Sequence, residues 1–190
     1  MKPLCRDDPP PFCLPVTPYD RVRDKLRTGD VVFCAGRYAF SRLIAWATGS
    51  LITHAGLVIR VDELDRILVL EAVESQGVRF APLSSLLTYH GAVFVARGTV
   101  GDISRAAAWG LDQLALPYSY ATILALAWRI ALRQARGTDP DQRGFICSEF
   151  VARWLALAGE GDLYPDGRES LLTPDDLWRH NSMTLLARLR

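Results

Sequence analysis

The sequence predicts an α+β domain in which an antiparallel β-sheet carries helices packed on one side. Apolar runs of strand length cluster in the first half of the 190 residues, and segments with helical periodicity dominate the second half. This segregation of strands from helices is typical of the α+β class. Hydrophobic residues make up 49% of the chain, enough for one domain with a sizeable core. We therefore expect a single domain over residues 19–190, preceded by a proline-rich arm at residues 1–18.

The strands are predicted from apolar runs that end at polar or turn-forming residues. Five such runs are present, at residues 31–34, 53–59, 67–73, 78–80 and 92–97. The second and third runs are almost wholly apolar, which indicates burial on both faces. The polar segment 62–66 between them predicts a hairpin loop, so these two strands are expected to pair antiparallel.

The helices are predicted from their periodicity and from their start and stop residues. They cover residues 20–27, 38–48, 82–89, 103–116, 120–136 and 149–158, with ends approximate. Thr173 and Pro174 predict one more helix start, with Thr as the N-cap and Pro at the first helical position. The chain end, residues 183–189, is expected to be a strand or a short helix.

Charge and hydropathy exclude two classes of partner. The formal net charge is +1, so the electrostatic footprint of a nucleic-acid binder is missing and no nucleic-acid partner is predicted. The apolar segment 120–132 contains Arg129 and is followed by Arg133, and these charges limit it to fewer than the about 20 residues that a spanning helix needs. A buried core helix is therefore predicted there and no membrane span, with an interfacial helix or an apolar substrate wall as the alternative. The first residues lack the apolar core of a signal peptide, which predicts a cytoplasmic location.

Cys147 stands where a short loop gives way to a helix. A thiol at a helix N-terminus meets the positive end of the helix dipole and unpaired N–H groups, and both favour the thiolate. The alternative for a single cysteine is a small, buried core residue. The four cysteines, which also include Cys5, Cys13 and Cys34, show neither metal-site spacing nor a disulfide framework. No metal and no cofactor is predicted, and a bridge between Cys5 and Cys13 stays open.

A cysteine nucleophile needs a base, and His54 and Glu71 are the candidates for the base and its partner. His54 begins an otherwise apolar strand, and Glu71 is the single charge inside the next one. A carboxylate in such a strand is costly to bury unless it is paired. The hairpin at 62–66 brings Glu71 opposite residues in the middle fifties, within reach of His54, while Glu74 competes from a turn. The other two histidines, His90 and His180, are predicted on a surface loop and near the end of the last helix.

Four segments resemble the motifs of the NlpC-type superfamily of papain-like cysteine peptidases and amidases. The resemblance lies in Leu-Pro-Tyr at 116–118, Gly-Phe-Ile-Cys-Ser-Glu-Phe-Val at 144–151, His-Ala-Gly-Leu at 54–57 and Leu-Glu-Ala at 70–72. The order is rotated, with His54 and Glu71 first and Cys147 last, as in the circularly permuted branch of YiiX-like proteins and lecithin–retinol acyltransferase relatives. Ile146 and Glu149 depart from the ordinary pattern and are similar to this branch.

Two further segments extend the resemblance to about residues 28–178. Gly-Asp-Val-Val at 29–32 is similar to the opening strand of the permuted branch, and Leu-Thr-Pro-Asp-Asp-Leu at 172–177 to its closing element. The resemblance implies a permuted papain-like fold. It also implies a catalytic triad of Cys147, His54 and Glu71, with Tyr118 as an oxyanion donor or substrate-orienting hydroxyl. A half-buried core tyrosine is the alternative for Tyr118.

The function predicted from these residues is that of a cysteine hydrolase, an amidase or peptidase that works through an acyl-enzyme. The expected substrate is a small peptide, an amino-acid amide or a lipid-like molecule with an amide or ester bond. One alternative is a lipid acyltransferase or thioesterase with the same triad, which the apolar segment 120–132 motivates. Another is a non-catalytic binding module that keeps the fold. The sequence predicts no oligomeric state.

Overall fold

The computed structural model describes residues 13–36, 45, 50–88, 90–119, 144–159 and 172–190. Two predicted helices lie outside the described residues. They are the helix at 120–136 and the helix at 38–48, of which residue 45 alone is described. Within the described ranges, no helix is long and apolar enough to cross a membrane.

Six strands form one antiparallel sheet. They are β1 (Asp30–Gly36), β2 (His54–Val61), β3 (Arg66–Val73), β4 (Gly77–Pro82), β5 (Gly91–Arg97) and β6 (Thr184–Arg188). Their order in the sheet is β4-β3-β2-β1-β5-β6, and each neighbouring pair is antiparallel. The hairpin predicted at 62–66 joins β2 to β3 through a short 3-10 segment, Asp62–Leu64. The predicted α+β class and the five predicted strands are confirmed.

Both faces of the sheet are buried at its centre, which explains the nearly continuous apolar runs of β2 and β3. Val31, Phe33 and Leu57 belong to the core on the face that the α-helices cover. Val32 and Val58 point to the opposite face and belong to a second core. Short segments outside the α-helices cover that second face, and their buried apolar residues are Val22, Leu26, Leu83 and Leu86.

Three α-helices are described: α1 (Ser104–Asp112), α2 (Cys147–Leu157) and α3 (Pro174–Trp178). Helix α2 packs against β2 and β3 and against α1. The ring of Trp109 in α1 stacks on that of Phe150 in α2, with centroids 5.4 Å apart. Thr173 caps α3 as predicted, because its hydroxyl accepts from the backbone N–H of Asp176 at 3.1 Å. These contacts fix the start of α2 above the ends of β2 and β3.

Three predicted helices differ from the structure. Residues 19–25 form two 3-10 segments in place of one α-helix, and α1 ends at Asp112, four residues early. Pro82 closes β4 and does not start a helix; the 3-10 segment Leu83–Thr88 follows it. A proline is tolerated there because β4 is an edge strand with a row of unpaired backbone groups. At the opposite edge the chain end, predicted as strand or short helix, is strand β6.

The last residues of the proline-rich stretch lie along the edge strand β6. Val16 forms an isolated parallel bridge with Arg188, and the N–H of Thr17 donates to the Arg188 carbonyl at 2.7 Å. The guanidinium of Arg188 also donates to the carbonyl of Leu14 at 3.1 Å. An extended segment can thus cover part of a sheet edge without belonging to the core.

Candidate active site

Cys147 is the first residue of α2, and its placement depends on a short backbone bridge before the helix. Phe145 donates to the carbonyl of Pro117 at 3.3 Å and accepts from the N–H of Ser119 at 3.1 Å. At Gly144 a side chain would meet the Pro117 carbonyl oxygen at 2.3 Å, so the two segments approach this closely only with glycine. Ile146 is extended and α2 then begins, which leaves the Cys147 thiol buried at the positive end of the helix.

His54 stands at the start of β2, where the ladder with β1 ends opposite Cys34. Its side chain is 19% exposed, so one edge of the ring reaches the surface while the rest is enclosed. Its Nε2 lies 2.8 Å from Oε2 of Glu71. The predicted proximity of these two residues is therefore present in the structure.

Gly56 makes that approach possible. The β2–β3 register pairs Leu57 with Leu70, which sets Glu71 opposite Gly56. A Cβ on Gly56 would lie 2.6 Å from Cγ1 of Val69 and 3.2 Å from Cβ of Glu71. With hydrogen in that place, the Glu71 side chain extends along the sheet toward His54, two residues before Gly56 on β2.

Glu71 is 2% exposed in its side chain, and both of its oxygens are engaged. While Oε2 faces His54, Oε1 accepts from Arg79 on β4, from Nε at 3.1 Å and from Nη2 at 2.8 Å. Arg79 was missed in the sequence, although it stands directly opposite Glu71 in the β3–β4 register. The sequence feature that could have revealed Arg79 is the turn before Gly77. A tight hairpin at this turn pairs residue 71 with residue 79.

The environment of the Cys147 thiol favours its charged form. Burial raises the pKa of Cys147, but a hydrogen bond to His54, the charge of His54, and the backbone N–H groups of Ala55 and Ser148 lower it below its ordinary value. Because Nε2 of His54 faces Glu71, Nδ1 is the ring nitrogen available to the sulfur. Sequence reasoning anticipated the helix start but not the N–H of Ala55, which comes from the adjacent strand.

His54 and Glu71 are also shifted toward their charged forms. Burial lowers the pKa of His54, but the hydrogen bonds and charges of Cys147 and Glu71 raise it to about 10. Burial raises the pKa of Glu71, and the hydrogen bonds and charges of His54 and Arg79 outweigh this and lower it. All three pKa shifts thus favour the charged forms, a thiolate at Cys147, an imidazolium at His54 and a carboxylate at Glu71.

Cys34 is a second thiol next to this group, unforeseen in the sequence. It is fully buried in β1, opposite His54. Burial, followed by the negative charges of Glu71 and Cys147, raises the pKa of Cys34, so this thiol stays protonated. A strand pairing of this kind, set by the sheet order, is not visible in local sequence.

Tyr118 lies in the core close to the start of α2. The residue is 9% exposed and belongs to the helix-side core, and its backbone forms the parallel bridge with Phe145. The residues weighed as alternatives lie elsewhere: Glu74 is in an exposed turn, and Nδ1 of His180 bonds Oγ of Ser182 at 2.7 Å.

The closing segment around α3 is tied to both halves of the site. The Ser148 hydroxyl, next to Cys147, donates to the carbonyl of Leu172 at 2.5 Å. The Ser50 hydroxyl, shortly before β2, donates to Oδ1 of Asp175 at 2.6 Å. The segment thereby links the start of the cysteine helix to the loop that leads into the histidine strand.

The helix that begins with Cys147 packs against β2, the strand that begins with His54, and β2 comes before this helix in the sequence. An antiparallel sheet with this arrangement is a permuted papain-like fold. A family model described as "Permuted papain-like amidase enzyme, YaeF/YiiX, C92 family" matches residues 25–160. The chain belongs to this family, as the rotated order of its motifs predicts.

The fold also resembles a solved structure, the metalloprotein YiiX from Escherichia coli O157:H7. The sequences are 19% identical, the TM-score is 0.62, and the match covers 85% of this chain and 97% of that one. At this identity the likeness concerns the fold alone. Among curated proteins none matches this chain.

Proposed function

We propose that this protein is a cysteine amidase in which Cys147 is the nucleophile, His54 the general base and acid, and Glu71 the residue that orients His54. The observation that carries the proposal is the 2.8 Å contact of His54 Nε2 with buried Glu71, which leaves Nδ1 to the Cys147 thiol at a helix start. Membership of a permuted papain-like amidase family supports the same reaction class.

The proposed reaction begins from the thiolate–imidazolium pair. The Cys147 sulfur attacks the carbonyl carbon of an amide, and the oxygen takes the negative charge of the tetrahedral intermediate. The proton on His54 Nδ1 passes to the leaving nitrogen as the C–N bond breaks, which yields a thioester and an amine. Neutral His54 then takes a proton from water, the hydroxide attacks the thioester, and the carboxylic acid leaves with Cys147 restored.

The oxyanion of each intermediate needs preorganised donors. The backbone N–H of Cys147 at the start of α2 is the proposed first donor, since helix N-termini leave such groups unpaired. Tyr118 remains the proposed second donor or substrate-orienting group, supported by its bridge to Phe145 two residues before the nucleophile. The proposed catalytic unit is the single domain 19–190, with residues 1–18 as an arm.

The proposed substrate is a peptide-like amide, in keeping with the family description. Acyl transfer or thioester hydrolysis on lipids would use the same three residues. The apolar segment that motivated this alternative, 120–132, lies outside the described residues. A peptide-like amide is the proposed substrate, and turnover of amides compared with acyl esters distinguishes the two alternatives.

The proposal uses no metal. YiiX is described as a metalloprotein. In the described part of this chain, no group of three or more His, Cys, Asp and Glu side chains has the arrangement of a metal site. Glu71 is engaged by His54 and Arg79, which also disfavours it as a ligand.

The test is labelling and turnover in matched cysteine variants. Wild-type protein and Cys34→Ala are expected to react with iodoacetamide at Cys147 at neutral pH, and Cys147→Ala to lose that fast reaction together with all turnover. The substrates are short peptide amides and fatty-acyl esters, of which the amides are expected to be hydrolysed. Cys13, a free and exposed cysteine, provides the reference rate within the same chain.

Three results would contradict the proposal. Fast labelling that survives Cys147→Ala would show that another thiol is the activated one. A Cys147 that reacts no faster than Cys13, with no turnover of either substrate, would favour a non-catalytic binding module. Turnover of the acyl esters alone would replace the amidase by the lipid-acyl alternative.

A further inference from the structure

Arg79 is held in place from two sides at the end of the proposed site. It stands opposite Glu71 in the β3–β4 register, and its Nε and Nη2 donate to Oε1 of Glu71 at 3.1 and 2.8 Å. Its Nη1 donates to Oε1 of Gln76, in the turn between the two strands. The guanidinium is therefore fixed between the turn and the carboxylate.

This contact decides how Glu71 meets His54. A buried carboxylate is stable only when its oxygens are paired. Since Arg79 occupies Oε1, the plane of the carboxylate is set and Oε2 points at Nε2 of His54, 2.8 Å away. The Arg79 side chain itself is 36% exposed, so a shorter polar residue there would be reached by water.

The charges of the site alternate through four elements. In the charged forms that their contacts favour, Cys147 of α2 and Glu71 of β3 are negative. His54 of β2 and Arg79 of β4 are positive. Cys34 of β1 stays a neutral thiol. Together they sum to zero. Without Arg79 the same enclosed cluster carries one net negative charge, which is unfavourable in a desolvated site and favours uptake of a proton. The thiolate is the group that would take it.

We propose that Arg79 is a positioning residue of this site: it holds Glu71 as a carboxylate with Oε2 on His54, and its charge keeps the buried cluster neutral. The inference rests on the proposed function of Cys147, His54 and Glu71. Arg79 acts through Glu71 and touches no reacting atom, so it is not itself a catalytic residue.

The test measures the pH dependence of Cys147 alkylation by iodoacetamide alongside kcat/KM for a peptide amide. In Arg79→Gln the alkylation midpoint is expected to rise by about one pH unit, and kcat/KM at neutral pH to fall at least about tenfold. Arg79→Lys keeps the charge and is expected to restore the midpoint, but only part of the turnover, because an ammonium lacks the two-pronged geometry.

A double variant separates charge balance from simple damage. Glu71→Gln combined with Arg79→Gln removes both charges, so the midpoint is expected to return toward the wild-type value while turnover stays low. Arg66→Gln is the matched control, because exposed Arg66 also lies on this hairpin but donates to the carbonyls of Leu64 and Asp65. It is expected to change neither quantity.

Unchanged alkylation and turnover in Arg79→Gln would overturn the inference and leave the proposed function standing. Should Arg79→Gln fail to give a cooperative thermal transition, the decision passes to Arg79→Lys and the double variant. Glu71→Gln alone leaves a net positive cluster and is expected to lower the midpoint, so a double variant with a midpoint no higher than that of Glu71→Gln alone would then overturn it. A wild-type Cys147 no more reactive than Cys13 would instead overturn the proposed function, and this inference with it.

Discussion

The sheet contains two buried carboxylates that face an arginine on the neighbouring strand, and the two pairs serve different ends. Asp30 on β1 stands opposite Arg97 on β5, and Glu71 on β3 stands opposite Arg79 on β4. Each acid is 2% exposed in its side chain, and each arginine is about a third exposed, 28% for Arg97 and 36% for Arg79. Sequence and burial alone do not distinguish these pairs.

They differ in what the second oxygen of the acid contacts. At Asp30, Oδ1 and Oδ2 accept from Arg97 at 2.7 and 2.8 Å, and Oδ2 also accepts from the backbone N–H of Arg27. At Glu71, Arg79 takes one oxygen and leaves the other to His54. A cross-strand acid–arginine pair that is closed on itself supports the fold. The same pair with one oxygen turned to a histidine can support chemistry.

The comparison is tested most strongly by making each acid an amide. Glu71→Gln is expected to reduce kcat by about a thousandfold, because the amide N–H₂ would face Nε2 of His54 and favour the wrong tautomer. Its free energy of unfolding should change little, since the Arg79 side chain is about a third exposed and can turn to water. Steady-state kinetics and urea unfolding of the same preparation measure both quantities.

Asp30→Asn is expected to show the reverse pattern. Losing the charge partner of Arg97 and the acceptor for Arg27 should lower the free energy of unfolding by about 2 to 3 kcal/mol. The kcat of the folded fraction should stay near wild type, because β1 residue 30 lies at the end of the strand away from His54. If both variants lost stability and activity in equal measure, the distinction between a structural and a functional pair would be wrong.

A smaller effect is expected from filling the space beside Glu71. In Gly56→Ala the new methyl group would press on Val69 and Glu71, at 2.6 and 3.2 Å, and move the carboxylate off the His54 ring. A displacement of this kind is expected to cost about ten- to a hundredfold in kcat/KM.

Gly110→Ala is the matched control for overpacking. Its Cβ would meet Leu70 at 3.0 Å and Trp154 at 3.2 Å, in the core but away from the three site residues. Both changes should destabilise the protein by about 1 to 3 kcal/mol, and only the first should impair turnover. Equal losses of turnover in the two variants would show that Gly56 matters only for packing.

Sequence reasoning succeeded wherever local pattern decides structure. The apolar runs predicted β1, β2, β3 and β5, because strands buried on both faces need no alternation. The charge of Glu71 within such a run, and the hairpin loop beside it, were enough to predict its contact with His54. A helix over residues 149–158, directly after Cys147, followed from loop composition and helical periodicity; α2 begins two residues earlier, at Cys147 itself.

Features that depend on long-range pairing were not predictable in the same way. Cys34 reaches the site through the order of strands in the sheet, and the N–H of Ala55 reaches the sulfur through the docking of α2 on β2. The 3-10 segments that replace two predicted helices follow the space left on the second face of the sheet, where tertiary packing overrides propensity. Arg79 is an intermediate case. The β3–β4 hairpin that contains it is local in sequence, but the turn at Gly77 decides which residues of the two strands stand opposite each other.

The smallest effect expected is on the pH dependence of the free energy of unfolding. It again distinguishes the Glu71 region from the Asp30 region, because the Cys147 thiol and the His54 ring lie near Glu71 and not near Asp30. In the unfolded chain His54 titrates near 6.5 and Cys147 near 9.0, and in the folded protein the first pKa is raised to about 10 and the second is lowered. Between the two unfolded values, folded and unfolded chains each hold one proton on this pair, so the pair contributes no pH dependence.

Below about pH 6.5, His54 of the unfolded chain binds a proton that the folded pair does not gain, so stability is lost as pH falls. Above about pH 9.0, the unfolded chain loses the Cys147 proton while the folded protein keeps the proton on His54, so stability is lost as pH rises. Cys147→Ala removes the thiolate. The pKa of His54 then loses the hydrogen bond and the charge of Cys147 that raise it, so the loss of stability above about 9.0 is expected to disappear. Urea unfolding between pH 6 and 10, with Cys34→Ala in both proteins because burial also raises the pKa of that thiol, should show the decline above about pH 9 only with Cys147 present. Identical curves would mean that Cys147 and His54 do not form an ion pair at rest, and the contrast between the two carboxylate regions would then rest on hydrogen bonding alone.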